Sequence, residues 1–349
     1  MKAWVLHSVG DIRMETLREP DLVENEVLIA VKAAGICGSD IPRIYRTGAH
    51  VHPLIPGHEF SGVVVKIGKG VDEKWKGKRV AVYPLIPCRS CLQCQKQQYE
   101  MCRNYDYLGS RRDGGLAEYA AVPVANLLPI PDDLSFEEAA MMEPMAVAVH
   151  AMRRVLPKTS ELVVVCGLGT IGILLLMFLQ AAGIQSICAV GNKEFQKHIV
   201  LKMGIAEEYY CDSRIQDVSK WIVKRTGGYG ADVFFECVGK NETCVQALES
   251  TMPGGNVCLV GNPDSDIKLE RQIYWKILRN QITVSGIWNA SFTNSLEDDW
   301  HYVLDRVSAK QVHPMQLITH RFSMEDMGHG LHIMRDRLED YVKVMGIYE

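Results

Sequence analysis

Four cysteines fall within fifteen residues, as Cys88, Cys91, Cys94 and Cys102 in a C-x2-C-x2-C-x7-C array. Thiolates at so short a spacing can close a tetrahedron around Zn²⁺, because two-residue gaps let the chain wrap until successive sulfurs converge. A site with four protein ligands keeps no open position, so its expected role is structural, clamping a loop. An iron–sulfur cluster, which uses related spacings, and a set of unrelated buried thiols are the alternatives.

A looser constellation surrounds Cys37, in Gly35-Ile-Cys-Gly-Ser-Asp40, with His58 and Glu59 in Pro56-Gly-His-Glu-Phe-Ser-Gly62 and Glu143 in Met141-Met-Glu-Pro-Met145. Each alone has an ordinary explanation: a single Cys is usually a small core residue, and a Glu before Pro is often a helix-end charge. Together they offer a soft sulfur, an imidazole nitrogen and carboxylates, a set that suits a catalytic Zn²⁺ keeping one position for water or substrate.

A third motif, Val163-Val-Val-Cys-Gly167-Leu-Gly169-Thr-Ile-Gly172, places G-x-G-x-x-G directly after a predicted strand and at the opening of an apolar helix. In that context it reads as a dinucleotide fingerprint. Gly167 makes the turn, Gly169 lets the backbone approach a pyrophosphate, and Gly172 allows close helix–strand packing. The helix start at Thr170 and Ile171 then offers free N–H groups to the phosphates. An acidic residue about 20 positions on ordinarily binds the adenosine ribose, but the next strand ends Ala189-Val-Gly-Asn-Lys-Glu194. Gly191 in that place removes the repulsion against a 2′-phosphate, and Asn192 and Lys193 can hydrogen-bond and neutralise it, which favours NADP over NAD. A Lys193 that is only solvated is the competing reading. Cys237, Val238 and Val260, at later strand ends, are further expected cofactor contacts.

These residues need a scaffold, and the chain shows zones of different texture. From about 25 to 150, short β-rich runs such as Glu26 to Lys32 and Gly62 to Ile67 are broken by Gly and Pro, predicting a mostly antiparallel β domain. From about 155 to 285, apolar strands alternate with helices: Leu162 to Cys166, Ser186 to Val190, Glu207 to Tyr210, Asp232 to Cys237, Asn256 to Val260 and Ile282 to Ser285. That rhythm predicts a doubly wound parallel sheet. Beyond Trp300, His320 to Phe322 and Tyr341 to Ile347 are candidate strands that rejoin the first domain.

Length and composition bound the function. At 349 residues, 47% hydrophobic and 23% charged, the chain reads as a soluble two-domain protein. A net charge of -4 supplies no global basic field for nucleic acid or anionic membranes. The uncharged stretch from Leu162 to Asn192 is long enough to span a bilayer, but Gly167, Gly169, Gly172 and Gly183 divide it into strand, helix and strand. Met1 to Met14 carries His7, Asp11 and Arg13 and so lacks a secretory apolar core. A cytoplasmic location with eleven reduced cysteines is expected.

Cys37-Gly-Ser-Asp40, Gly57-His-Glu59, the four-Cys lobe, Glu143-Pro144 and the glycine fingerprint, in this order, resemble the zinc-dependent medium-chain alcohol and polyol dehydrogenases over essentially the whole chain. Glu143 in the third ligand position resembles the sorbitol dehydrogenase branch. Ser39-Asp-Ile-Pro-Arg-Ile44, Gly48-Ala-His50, Tyr105 to Gly115 and Gly286-Ile-Trp288 most resemble members of that branch acting on polyol phosphates; Gly191 departs from their pattern, which has Asp. The resemblance implies an α/β architecture: a GroES-like β-rich catalytic domain, 1–152, a Rossmann domain, 153–285, and a return to the catalytic domain, 286–349, with the active site in the cleft between domains. It also implies a homodimer or homotetramer. Cys37, His58 and Glu143 would hold the catalytic zinc, Ser39 would carry the substrate's hydroxyl proton toward solvent with His50 at the end of that relay, and Glu59 would be an alternating ligand, a supporting carboxylate or a buried ion pair.

Arg43, Arg111 and Arg112 lie in segments that resemble substrate loops, and guanidinium forks suit phosphate; each also has a solvated or ion-paired reading. Trp288 walls the pocket or is core. The expected function is oxidation of a polyol phosphate with hydride transfer to NAD(P). The alternatives are the same chemistry on an unphosphorylated polyol or other secondary alcohol, and a catalytically silent dinucleotide-binding protein, for which an open metal site would be superfluous.

Overall fold

The computed structural model describes residues 1–348. It divides into two units: Met1–Pro144 with Ala290–Ala309 and the chain from His313 on, and Met145–Asn289 with 310–312. The passage from the first to the second therefore falls at Pro144, inside helix Met142–Val155, rather than at 152.

The first unit is built on strand Glu26–Ile36, eleven residues rich in Val, Ile and Ala and buried along most of its length. Such a strand needs partners on both sides. Glu59–Ile67 pairs with it antiparallel along one side; on the other, Tyr119–Pro123 takes its first half and Lys343–Ile347 its last. Ile318–Phe322 lies parallel to Lys343–Ile347, so both late strands belong to this sheet. The core beneath holds Val27, Ile29, Phe60, Val64, Leu116, Leu331 and Val344.

The register decides what meets at one end. Gly35 stands opposite both Glu59 and Met345, and Ile36 opposite Val344. Cys37, His58, Glu59 and Lys343 are thereby delivered to the same end of three adjacent strands. A Cβ at position 35 would come within 2.3 Å of a Glu59 carboxylate oxygen, so only glycine leaves that carboxylate its place.

The second unit is a six-stranded parallel sheet in the order Tyr210–Asp212, Ser186–Gly191, Leu162–Cys166, Ala231–Glu236, Thr251–Leu259, Thr283–Gly286, or 3-2-1-4-5-6 by sequence. This is the Rossmann order, with ligands expected outside the carboxyl ends of the strands where the order reverses. The strand expected over Glu207 to Tyr210 starts only at Tyr210. Glu207–Tyr209 is a 3-10 turn closed by Tyr209 N–H donating to Ala206 O at 2.8 Å, and pairing with Ala189 begins at Tyr210. Two adjacent glutamates suit an exposed turn better than an edge of this sheet. Among the described residues no helix is long and apolar enough to cross a membrane.

Candidate metal and dinucleotide sites

Cys91 precedes the short helix Leu92–Gln95, and the 3-10 turn Tyr99–Met101 delivers Cys102 back to it. All four sulfurs lie within 4.8 Å of one another, with Cys88–Cys94 and Cys91–Cys102 both at 3.9 Å. A tetrahedron with Zn–S bonds of about 2.3 Å has edges of about 3.8 Å, so the lobe fits zinc. Ser90 donates to Cys88 from its hydroxyl at 3.4 Å and brings that thiol down to about 5, while burial pushes Cys94 up to about 12. A bound cation deprotonates both kinds of thiol.

The second cluster brings the ligand atoms of Cys37, His58 and Glu59 within 4.8 Å of one another. The expected ligand Glu143 is not in this set; the carboxylate that joins sulfur and imidazole is Glu59. Glu143 stands close by in the first turn of helix Met142–Val155, accepting from the Tyr107 hydroxyl at 3.4 Å. Burial raises its carboxyl to about 7 against the pull of the His58 charge. The donor set of one thiol, one imidazole and carboxylates fits a catalytic zinc.

Three residues that the motifs did not single out organise this cluster. Asp40 is fully buried, ion-pairs with Arg43, and lies 3.4 Å from His58 Nδ1, which makes no hydrogen bond of its own. Burial pushes Asp40 up, but His58 and Arg43 outweigh it and hold the carboxyl below its ordinary range. Lys343 is buried with its Nζ 2.5 Å from Glu59 Oε2 and 3.2 Å from Ile36 O. Burial would lower its ammonium, yet Glu59 and Cys37 raise it. Tyr107 sets its ring edge-on to His58 at 5.7 Å. Asp40 was in view as the last residue of Cys37-Gly-Ser-Asp40, Lys343 as one charge in an apolar strand, and Tyr107 only as part of the Tyr105 to Gly115 segment.

Around the cluster, the Ser39 hydroxyl donates to Cys37 Sγ at 3.2 Å. His50 is exposed, and its N–H donates to Ser110 O at 3.4 Å, tying its loop to the one bearing Arg111. Partial burial and the charges of Arg111 and Arg43 hold His50 below its ordinary range. Arg111 stacks over Tyr105 at 4.7 Å, and its buried Nε has no hydrogen-bond partner. Arg112 departs from the expectation: it donates to the buried Glu26 at 2.7 Å and lines a shallow hollow with Met1, Asp21 and Asp113. A buried carboxylate at the start of the central strand needs a cation, and Arg112 is that cation.

In the second unit the fingerprint glycines have distinct surroundings. Gly167 has φ +99°, and a Cβ there would meet Val238; at Gly172 it would sit 1.9 Å from Gly167 O; at Gly169 it would meet nothing within 4 Å. The middle glycine, heading helix Thr170–Ala181, thus leaves open the approach a pyrophosphate needs. Gly191 is buried, and a Cβ there would come 2.8 Å from Leu168, 2.9 Å from the Tyr210 hydroxyl and 3.1 Å from Gln196. The place of a ribose-binding aspartate is therefore filled by Tyr210 and Gln196, the latter accepting from Asn192 N at 3.2 Å. Lys193 lies 5.2 Å over the Phe195 ring. Trp288 is half exposed.

Residues 23–132 match the alcohol dehydrogenase GroES-like domain and residues 170–309 the zinc-binding dehydrogenase domain. The chain therefore belongs to the zinc-binding alcohol dehydrogenase family, and it is an oxidoreductase of the alcohol and polyol dehydrogenase class. It is 32% identical to galactitol 1-phosphate 5-dehydrogenase of Escherichia coli, over 95% of each chain, and 32% identical to sorbitol dehydrogenase of Bacillus subtilis, over 89% of this chain and 91% of that one. The crystal structure of the Escherichia coli galactitol-1-phosphate dehydrogenase superposes with TM-score 0.92 at 31% identity, covering 99% of this chain and 100% of that one. A zinc-binding dehydrogenase from Sinorhizobium meliloti 1021 bound to NADP superposes with TM-score 0.90 at 28% identity, covering 99% and 98%.

Proposed function

We propose that the enzyme oxidises a secondary hydroxyl of a polyol phosphate, of the galactitol 1-phosphate type, to a ketone, with the hydride passing to NADP or NAD. The observation that carries this reading is the placing of Arg43, ion-paired with Asp40 beside His58, and of Arg111, stacked over Tyr105 with its buried Nε unpartnered. A buried donor without an acceptor is costly, and a ligand phosphate satisfies it. The likeness to the Escherichia coli enzyme supports the same reading.

Cys37, His58 and one of the two carboxylates, Glu59 or Glu143, would hold the catalytic zinc, and Cys88, Cys91, Cys94 and Cys102 the structural one. When bound, zinc polarises the substrate hydroxyl as a Lewis acid and the dinucleotide accepts hydride. Ser39 takes the hydroxyl proton, and exposed His50 stands at the solvent end of the relay. Asp40 fixes the ring of His58, and Arg43 and Arg111 orient the phosphate.

Arg111→Met is expected to raise KM for galactitol 1-phosphate about 10- to 100-fold, the worth of one or two charge-assisted hydrogen bonds, and to leave KM for galactitol unchanged. Equal turnover of the two by the wild type would instead favour the second reading, a plain polyol substrate, which the equal identity to sorbitol dehydrogenase supports.

Gly191, Asn192 and Lys193 support NADP over NAD. Lys193→Ala should lower the NADP/NAD ratio of kcat/KM up to about fivefold, the most a screened lysine contributes. Gly191→Asp should shift it further toward NAD once Tyr210→Phe removes the hydroxyl and the side-chain ends of Leu168 and Gln196 give way. A wild type strongly preferring NAD would overturn this reading.

The enzyme is further proposed to be a cytoplasmic homodimer or homotetramer. Eleven unpaired cysteines support a reducing compartment. Exposed Val284 on edge strand Thr283–Gly286, with Tyr274, Trp275 and Leu278 exposed on the preceding helix Arg271–Asn280, supports pairing with a second copy of the strand.

A further inference from the structure

The carboxyl ends of strands Ala231–Glu236 and Thr251–Leu259 carry loops that meet the phosphate turn at contacts with no room for a side chain. A Cβ at Gly167 would lie 2.6 Å from Val238 Cγ2, one at Gly239 1.9 Å from Asn262 O, and one at Gly261 2.2 Å from Gly239 N. Loops packed this tightly must be held individually, and one side chain does so. Glu236 is fully buried, and among the described residues no lysine or arginine pairs with it. Its carboxylate accepts from Val238 N at 2.8 Å, from Gly239 N at 2.9 and 3.1 Å, and from the Thr243 hydroxyl at 2.7 Å. Its own carbonyl accepts from Val260 N at 2.8 Å and Gly261 N at 2.9 Å. Neighbouring Cys237 is tied in turn to the fingerprint strand, its N–H donating to Cys166 O at 2.8 Å.

A buried carboxylate without a cation is expensive, and this one is sustained by neutral donors alone. An ordinary core position would be filled at less cost by an apolar residue. The structure assigns to Glu236 the role of positioning residue for the dinucleotide: it holds Val238, Gly239 and, through Thr243, the start of helix Asn241–Ser250, and so sets the wall facing Gly167. The inference rests on the dinucleotide reading proposed above.

The test compares wild type, Glu236→Gln and Thr243→Val as zinc-loaded protein. An amide at 236 has a single accepting oxygen and turns an NH₂ toward donors, so Kd and KM for NADP, and for NAD, should rise about tenfold or more. KM for the polyol phosphate, kcat at saturating dinucleotide and zinc content should stay within about twofold. Amide hydrogen exchange at 238 and 239 should quicken. Thr243→Val, which removes one donor, should give the same pattern at about threefold and serves if the glutamine variant does not fold. A wild type that binds dinucleotide while the variants bind it with unchanged Kd would overturn this inference alone. A rise shared by both substrates, which a general loss of structure would give, would also overturn it. A wild type that binds neither NAD nor NADP would overturn the parent reading and this one together.

Discussion

Cys37→Ala is expected to lose turnover by about 10³-fold or more, because Lewis-acid stabilisation of several kcal/mol goes with the metal and each 1.36 kcal/mol is tenfold in rate. The protein should remain folded. Cys37 is only half buried at the end of its strand, and the core beneath the sheet does not include it. Metal analysis should find one zinc per chain in the variant and two in the wild type, with Tm moved by a few degrees. His58→Ala should behave alike, and there the test is harsher, since it leaves buried Asp40 with only Arg43 and the Cys37 N–H. A Cys37→Ala protein with full activity after zinc removal would overturn the assigned chemistry.

Cys91→Ala should show the opposite pattern. With three sulfurs left, the lobe no longer encloses a metal, and a structural site contributes its binding energy directly to folding. Little else holds residues 88–102: their regular structure is one four-residue helix and one 3-10 turn, with Leu92 and Met101 exposed. The expected result is one zinc per chain, a Tm lower by roughly 10 °C or more, and nearly normal kcat at temperatures where the variant stays folded. A variant with unchanged Tm and two zinc ions would show that the four cysteines are not a ligand set.

The two outcomes separate residues that look alike in the sequence. All five are cysteines in the same β-rich zone of the chain, and spacing alone distinguished the closed array from the open one. Much else was legible in the same way. The G-x-G-x-x-G context located the phosphate turn, and the alternation of apolar runs located four of the six Rossmann strands to within one residue at each end, while Tyr210–Asp212 and Thr251–Leu259 overlap their expected ranges only in part. What escaped depends on contacts between distant segments. That a Glu59 carboxylate oxygen lies within 4.8 Å of the Cys37 and His58 ligand atoms follows from the register that sets Gly35 opposite Glu59. That Arg112 neutralises Glu26 follows from a contact across 86 residues. At Gly191 the missing aspartate could be read, but not the Tyr210 hydroxyl that fills its place from the neighbouring strand. Periodicity carries no information about such partners, because it reports which face of an element is buried and not what covers it.

The ion pair between Glu59 and Lys343 sets an order on how this protein can be made. The two residues are 284 positions apart, and at about 5–20 residues per second the ribosome emits the lysine roughly 15 to 60 seconds after the glutamate. Through that interval the nascent first unit lacks one of the two strands that border Gly35 and the cation that pairs with buried Glu59. The Rossmann unit, contiguous but for three residues, can complete its sheet while the catalytic unit waits. A chain interrupted before residue 343 would then carry an intact phosphate turn and a four-cysteine lobe but an uncompensated Glu59. Translation thus makes the catalytic cluster the last part of the enzyme to be finished.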